Sequence, residues 1–284
     1  MVTGDTADDV QGSYAGWPAP PGRTVAGRRP RWRGSAVATA ALAVAVAGFV
    51  VAALGLTIRV LPRQFTSAQQ RQITAWEVAG RWRELPAGQI FPGQVRYAPP
   101  AVLSDIGGSV ALTARRLGIA PQEPCRPPGS AATDPAATAV LVRNGCEAVL
   151  RATYTDGTGT YVATVGVVPM PGPAQARAAH RELSAGRLRM PGGRAPGVRA
   201  LPLAGTLAAS FTDSRRQLAA SVVTGPYLVM YAVGYTDGRP LVPVAADSYA
   251  DAEMTSFGAG VAASAANALG APPPAPRCPG TPGC

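Results

Sequence analysis

The sequence predicts an α+β protein: one N-terminal transmembrane helix, then an extracytoplasmic, mostly antiparallel sheet with helices on one face. Three observations lead there. Residues 34–58 hold no charged side chain, and Arg33 and Arg59 close the stretch at either end. Downstream, short apolar runs are punctuated by Gly- and Pro-containing turns. Between these runs lie Ala-rich segments with helical spacing.

The uncharged stretch reads GSAVATAALAVAVAGFVVAALGLTI. At about 1.5 Å per residue it matches a hydrocarbon core of roughly 30 Å. A helix suits it, because a spanning segment must satisfy its own backbone hydrogen bonds. It exceeds the roughly 7–15 apolar residues of a cleaved secretory signal, so it is expected to stay as an anchor. Arg23, Arg28, Arg29, Arg31 and Arg33 crowd its N-terminal flank, against Arg59 and Arg63 beyond it. Cytoplasmic flanks carry the positive excess, so the N-terminus is placed inside and the C-terminal domain outside a cell membrane crossed once. Trp32 is an interfacial anchor.

Composition divides the chain into four segments. Residues 1–33 form a cytoplasmic tail too poor in apolar side chains to fold. Residues 34–58 are the anchor, 62–270 the outer domain, and 271–284 a Pro/Gly-rich tail that cannot continue a helix. The formal net charge of +10 is carried wholly by arginine against Asp and Glu. Residues 62–284 hold twenty Arg against thirteen acids, a surplus that suits anionic lipid, a wall polymer or another envelope protein as partner. No nucleic-acid recognition motif is present.

In chain order, Ser67 caps a helix to Leu85 carrying Ile73, Trp76, Val78, Ala79 and Trp82 on a rough apolar side, stopped by Pro86. Short extended pieces come next, at Ile90, Val95 and Tyr97. SVALTARRL, 109–117, reads as a helix ended by Gly118. AVLVRN from Ala139 reads as a strand, with Asn144–Gly145 as the hairpin turn into CEAVLRATYTD. A second turn, DGTGT, leads into YVATVGVVPM, with Tyr161, Ala163, Val165 and Val167 on one face. Pro173–Gly186 is a helix. TLAASFTD, RQLAASVVTG and PYLVMYAVGYTDG read as strands, the last two a hairpin around Thr224–Gly225–Pro226. Asp247 caps a final helix whose Tyr249, Met254, Phe257 and Val261 make a core stripe.

Strand, strand, helix occurs at 147–186 and again at 216–268, and TYTDG at 153–157 is echoed by GYTDG at 234–238. The four cysteines allow three pairings. The local one, Cys125–Cys146 and Cys278–Cys284, is expected for an exported domain.

The run AWEVAGRWRELPAGQIFPGQVRY, with the single anchor and the TYVATVGV strand, resembles uncharacterised actinobacterial single-pass membrane proteins. The layout of strand, strand and helix with a disulfide also resembles extracytoplasmic sensor domains of actinobacterial kinases and lipoproteins. Neither resemblance implies an activity.

No catalytic, cofactor or metal motif is present: the chain lacks GxSxG, HExxH, SxxK and CxxC, and His180 lies far along the chain from the cysteines. The expected function is a membrane-anchored binding or scaffolding module of the envelope, without catalysis. Its contact surface is the basic loop RLRMPGGRAPGVRALP, with Arg187, Arg189, Arg194 and Arg199. An alternative is an envelope hydrolase using paired carboxylates among Asp105, Glu147, Asp156 and Asp213. Another is a sensor domain that signals through a partner of the inner tail.

Overall fold

The computed structural model describes residues 44–50, 65–100, 111–125, 131–186, 196–242 and 248–271. The chain divides into two units, Met1–Gln64 and Phe65–Cys284. In the first, residues 44–50 are helical and exposed. Among the described residues no helix is long and apolar enough to cross a membrane. The rest of the span 34–58 lies outside them.

The second unit is α+β. Its elements are α1 (Ser67–Glu84), α2 (Ala87–Ile90), β1 (Gln94–Tyr97), β2 (Leu112–Ile119), β3 (Glu123–Pro124), α3 (Pro135–Arg143), β4 (Ala148–Asp156), β5 (Tyr161–Pro169), α4 (Pro173–Gly186), β6 (Arg216–Thr224), β7 (Tyr227–Tyr235) and α5 (Tyr249–Gly270). The sheet runs β1-β2-β4-β5-β7-β6, and β3 pairs with β4 beyond β2. Every pairing is antiparallel.

Each hairpin is set by a glycine that tolerates positive φ: Gly159 at +73° between β4 and β5, Gly225 at +51° between β6 and β7. Asp156 fastens the first turn, accepting from Thr158 N at 3.1 Å and Tyr161 N at 2.7 Å. Capping follows local chemistry. Thr66, rather than Ser67, is the N-cap of α1, in a capping box with Gln69. Ser248 Oγ accepts from Asp251 N at the head of α5; Asp247 lies outside the described residues.

The expectation of helices on one face is corrected. Side chains alternate across each strand, and both faces are covered. On the first face Tyr161, Ala163, Val165 and Val167 meet Tyr227, Val229, Tyr231 and Val233, under Val78 and Trp82 of α1 and Met254, Phe257, Val261 and Leu269 of α5. On the second, Val162, Leu228, Met230 and Ala232 lie under Ala137 and Leu141 of α3 and Ala176, Ala179 and Leu183 of α4. A strand such as YLVMYAVGY has no polar alternate, so water on either side would be costly. Tyr249 departs from the expected core stripe and is half exposed.

Three expected elements change type. Residues 112–119 form a strand, because β1 and β4 offer ladders on both its edges. Residues 135–143 form a helix, with Pro135 in the first turn. Asn144–Gly145 ends that helix instead of turning a hairpin: Gly145 has φ +81°, and Cys146 N donates back to Leu141 O. TLAASFTD forms turns, with Phe211 buried in the second-face core. The cysteine expectation is met at Cys125–Cys146, which are disulfide-bonded with Cα atoms 6.0 Å apart. Cys278 and Cys284 lie outside the described residues.

The two strand–strand–helix units meet through β5 and β7. Their helices, α4 and α5, cover opposite faces. The TYTDG echo closes the first strand of one hairpin and the second strand of the other, so these positions are not equivalent. In both places the aspartate accepts backbone N–H bonds of its own turn, which accounts for the likeness.

Candidate functional site

The second face carries a set of charges that begins in the middle of β4. Its neighbours in CEAVLRATYTD are apolar, yet Arg151 points to the packed face and is only 7% exposed. It can be there because Glu123, from β3 on the adjacent ladder, receives its Nη2 in an ion pair. Arg151 Nε and Glu123 Oε2 are both buried without a partner, so this pair is incompletely satisfied. Opposite Arg151 in the register stands Gly166. A Cβ there would lie 2.9 Å from Val198, so the missing side chain lets the 197–202 segment lie on the sheet.

That segment is stitched down by five side chains. Asp134, at the head of α3, accepts from Gly197 N at 3.0 Å and receives Arg216 of β6 at 2.8 and 3.0 Å. Arg216 also donates to Val198 O at 2.9 Å. Thr153 of β4 donates to Leu201 O at 3.0 Å, and Leu201 N donates to Thr164 of β5 at 2.9 Å. Ala200 N donates to Asp213 Oδ1 at 2.8 Å.

Between this segment and residues 212–214 lies a cleft of about 560 Å³, lined by Arg151, Arg199, Leu201, Thr212, Asp213 and Ser214 among others. Arg199 stands at its rim and pairs with Asp213. That carboxylate, followed by the charges of Asp134 and Glu123, holds the Arg199 guanidinium above its ordinary pKa. The three arginines, 151, 199 and 216, are balanced by Glu123, Asp134 and Asp213. An anion entering here would have to displace Asp213 from Arg199, and the hydroxyls of Thr212 and Ser214 line the same cleft as donors.

Of the arginines expected to make the contact surface, Arg199 is placed at this cleft. Arg187, Arg189 and Arg194 lie outside the described residues. Sequence reasoning misses Arg151, Asp134 and Arg216. The signal that could have found Arg151 is a lone charge inside an otherwise apolar strand, which requires a buried partner.

Three of the four carboxylates considered for acid–base chemistry have separate occupations. Glu147 pairs with Arg83 at the surface, Asp156 fastens the β4–β5 turn, and Asp213 holds Arg199 and Ala200 N. Asp105 lies outside the described residues. His180 of α4 has a partner that the sequence hid: its Nδ1 is 2.9 Å from Ser221 Oγ on β6. Among the described residues no group of three or more His, Cys, Asp or Glu is placed to hold a metal.

Neither a protein-family model, a curated protein nor a solved structure matches this chain.

Proposed function

We propose that the chain is a single-pass membrane protein, anchored by residues 34–58 with its N-terminus cytoplasmic, whose outer domain binds an anionic component of the cell envelope. The observation that carries the binding reading is the part-exposed guanidinium of Arg199 in the lining of a cleft that also presents the hydroxyls of Thr212 and Ser214. In the sequence, Arg187, Arg189 and Arg194 precede it within twelve positions. The anchor reading is supported by the absence of charge across 34–58, the arginines on its flank, and a helical 44–50 whose Val44, Val46, Phe49 and Val50 are exposed.

The binding role calls for no catalysis. The partner class is a phosphate- or carboxylate-bearing surface, since guanidinium groups pair with such oxygens bidentately.

The test uses the full chain in phosphatidylcholine nanodiscs titrated with polyglycerol phosphate at low salt. Binding is expected to weaken at least tenfold in the quadruple variant Arg187→Gln, Arg189→Gln, Arg194→Gln, Arg199→Gln, and to weaken with added salt. Equal binding by the variant, or none by the parent, would overturn the reading. Protease applied to wall-stripped cells tests the anchor separately. A released 62–284 fragment is expected; a protected domain would place it inside.

A further inference from the structure

Helix α1, the β5–α4 connection and the β6–β7 turn line a groove that shares no residue with the arginine cleft. It measures about 720 Å³ and is lined by Arg71, Thr74, Trp76, Val78, Pro171, Pro173, Gly225 and Pro226 among others. The two tryptophans of α1 divide here. Trp82 enters the core at 8% exposure, whereas Trp76 stays 54% exposed at the groove. A large aromatic ring left open beside three prolines is a surface built for an apolar, extended occupant.

The chain itself supplies one. Helix α5 ends at Gly270 against the same elements that wall the groove. Arg81 of α1 donates to Leu269 O and Ala271 O. A Cβ on Gly270 would run into Oγ1 of Thr224, the residue directly before Gly225–Pro226. Ala271 leaves the helix with φ −58° and ψ +129°, in the range of a polyproline helix, as a residue before proline must. The chain then continues as PPPAPRCPGTPGC, whose Pro273 and Pro276 have the PxxP spacing. Aromatic-lined grooves take such segments because the polyproline helix is already ordered and costs little entropy to bind. The reach is sufficient. From Arg81 back to Trp76 is about 7.5 Å along α1 and about 140° around it, roughly 9 Å between Cα atoms at 1.5 Å rise and a radius of about 2.3 Å. Residues 272–276 extend about 15 Å at 3.1 Å per residue.

The geometry points to the Trp76 groove as the seat of this protein's own Pro272–Pro276 segment. The tail then folds back along α1, covering Trp76 and clamping the C-terminal end of α5 against the β6–β7 turn. This is independent of the anion-binding reading, which uses the other face.

The test is hydroxyl-radical footprinting of the full chain, read by mass spectrometry at each tryptophan, in detergent micelles and in phosphatidylcholine nanodiscs. The variants are a chain ending at Ala271, and a full-length chain with Pro273→Ser, Pro274→Ser and Pro276→Ser. Both are expected to raise Trp76 labelling at least threefold and leave Trp82 unchanged. A synthetic peptide of residues 271–284, with its cysteines alkylated, should restore protection of the shortened chain in a concentration-dependent way. Unchanged Trp76 labelling in both variants would overturn the assignment. So would protection that survives tail removal and appears only in nanodiscs, which would make lipid the occupant. Protection that survives tail removal and grows with protein concentration would make it a second copy, and would overturn the assignment equally.

Discussion

Asp134 and Arg216 stand 82 positions apart in sequence and meet in an ion pair in which one nitrogen, Nη2, reaches both carboxylate oxygens, at 2.8 and 3.0 Å. Both side chains are nearly buried, at 14% and 6% exposure. One carboxylate thereby ties the head of α3, the edge strand β6 and, through Gly197 N, the segment that forms the arginine cleft. Removing one member of a buried pair costs about 3–5 kcal/mol, because the other charge is left in place. Asp134→Ala is expected to lose about 3 kcal/mol in denaturant unfolding, at the low end because Asp213 also faces Arg216. Asp134→Asn should recover part of this, since its oxygen can still accept from Gly197 N.

Two helical glycines should respond to alanine with opposite signs. A Cβ at Gly260 of α5 would run into Tyr97 Cβ, whereas one at Gly80 of α1 meets only Glu84 Oε1 at 3.8 Å. Alanine is favoured over glycine by about 1 kcal/mol in a helix interior. Overpacking costs about 1–3 kcal/mol. Gly80→Ala should therefore raise the melting temperature and Gly260→Ala lower it. Two shifts of the same sign would show that α5 does not rest on β1 through Gly260.

The Cys125–Cys146 bond joins the end of β3 to the start of β4, across a sequence separation of 21. For a closed loop of that size the chain-entropy account gives about 3 kcal/mol of stabilisation. Replacing both cysteines by serine should lower stability by about that amount, and dithiothreitol should lower the parent but not the variant. Peptide mapping without reduction should recover residues 125 and 146 as one linked species.

Alkali should loosen the first-face core. Burial, with smaller contributions from Asp156 and Glu253, raises the Tyr97 hydroxyl from 10.0 to about 12. Burial does the same for Tyr227, against a lowering by the Trp82 N–H, again to about 12. The unfolded chain loses these protons first, so the folded state binds more protons in between. Stability is full below pH 10 and falls as pH rises toward 12. Tyr227→Phe should flatten part of that slope in unfolding curves taken at pH 9–12. It should also cost stability at neutral pH, because Tyr227 Oη donates to Val78 O and accepts from Trp82 N.

The sequence alone determined the elements whose signals are local and agree with one another. Both hairpins around glycine turns, the helix Pro173–Gly186, the helix ending at Gly270 and the Cys125–Cys146 pair could be read from turn chemistry, caps and spacing. Only the tertiary structure decided the rest. SVALTARRL and AVLVRN are short apolar runs in which helix and strand differ by a few tenths of a kcal/mol per residue. Two open ladders made the first a strand, and the burial of Ala137 and Leu141 against the second sheet face made the second a helix. The covering of both sheet faces, the split of Trp76 from Trp82, and the meeting of Arg151 with Glu123 depend on which distant segments come to lie together. A buried charge is tolerable only once its partner has arrived. The arginine cleft is therefore a property of the folded chain, assembled from residues 123 to 216, and no local stretch contains it.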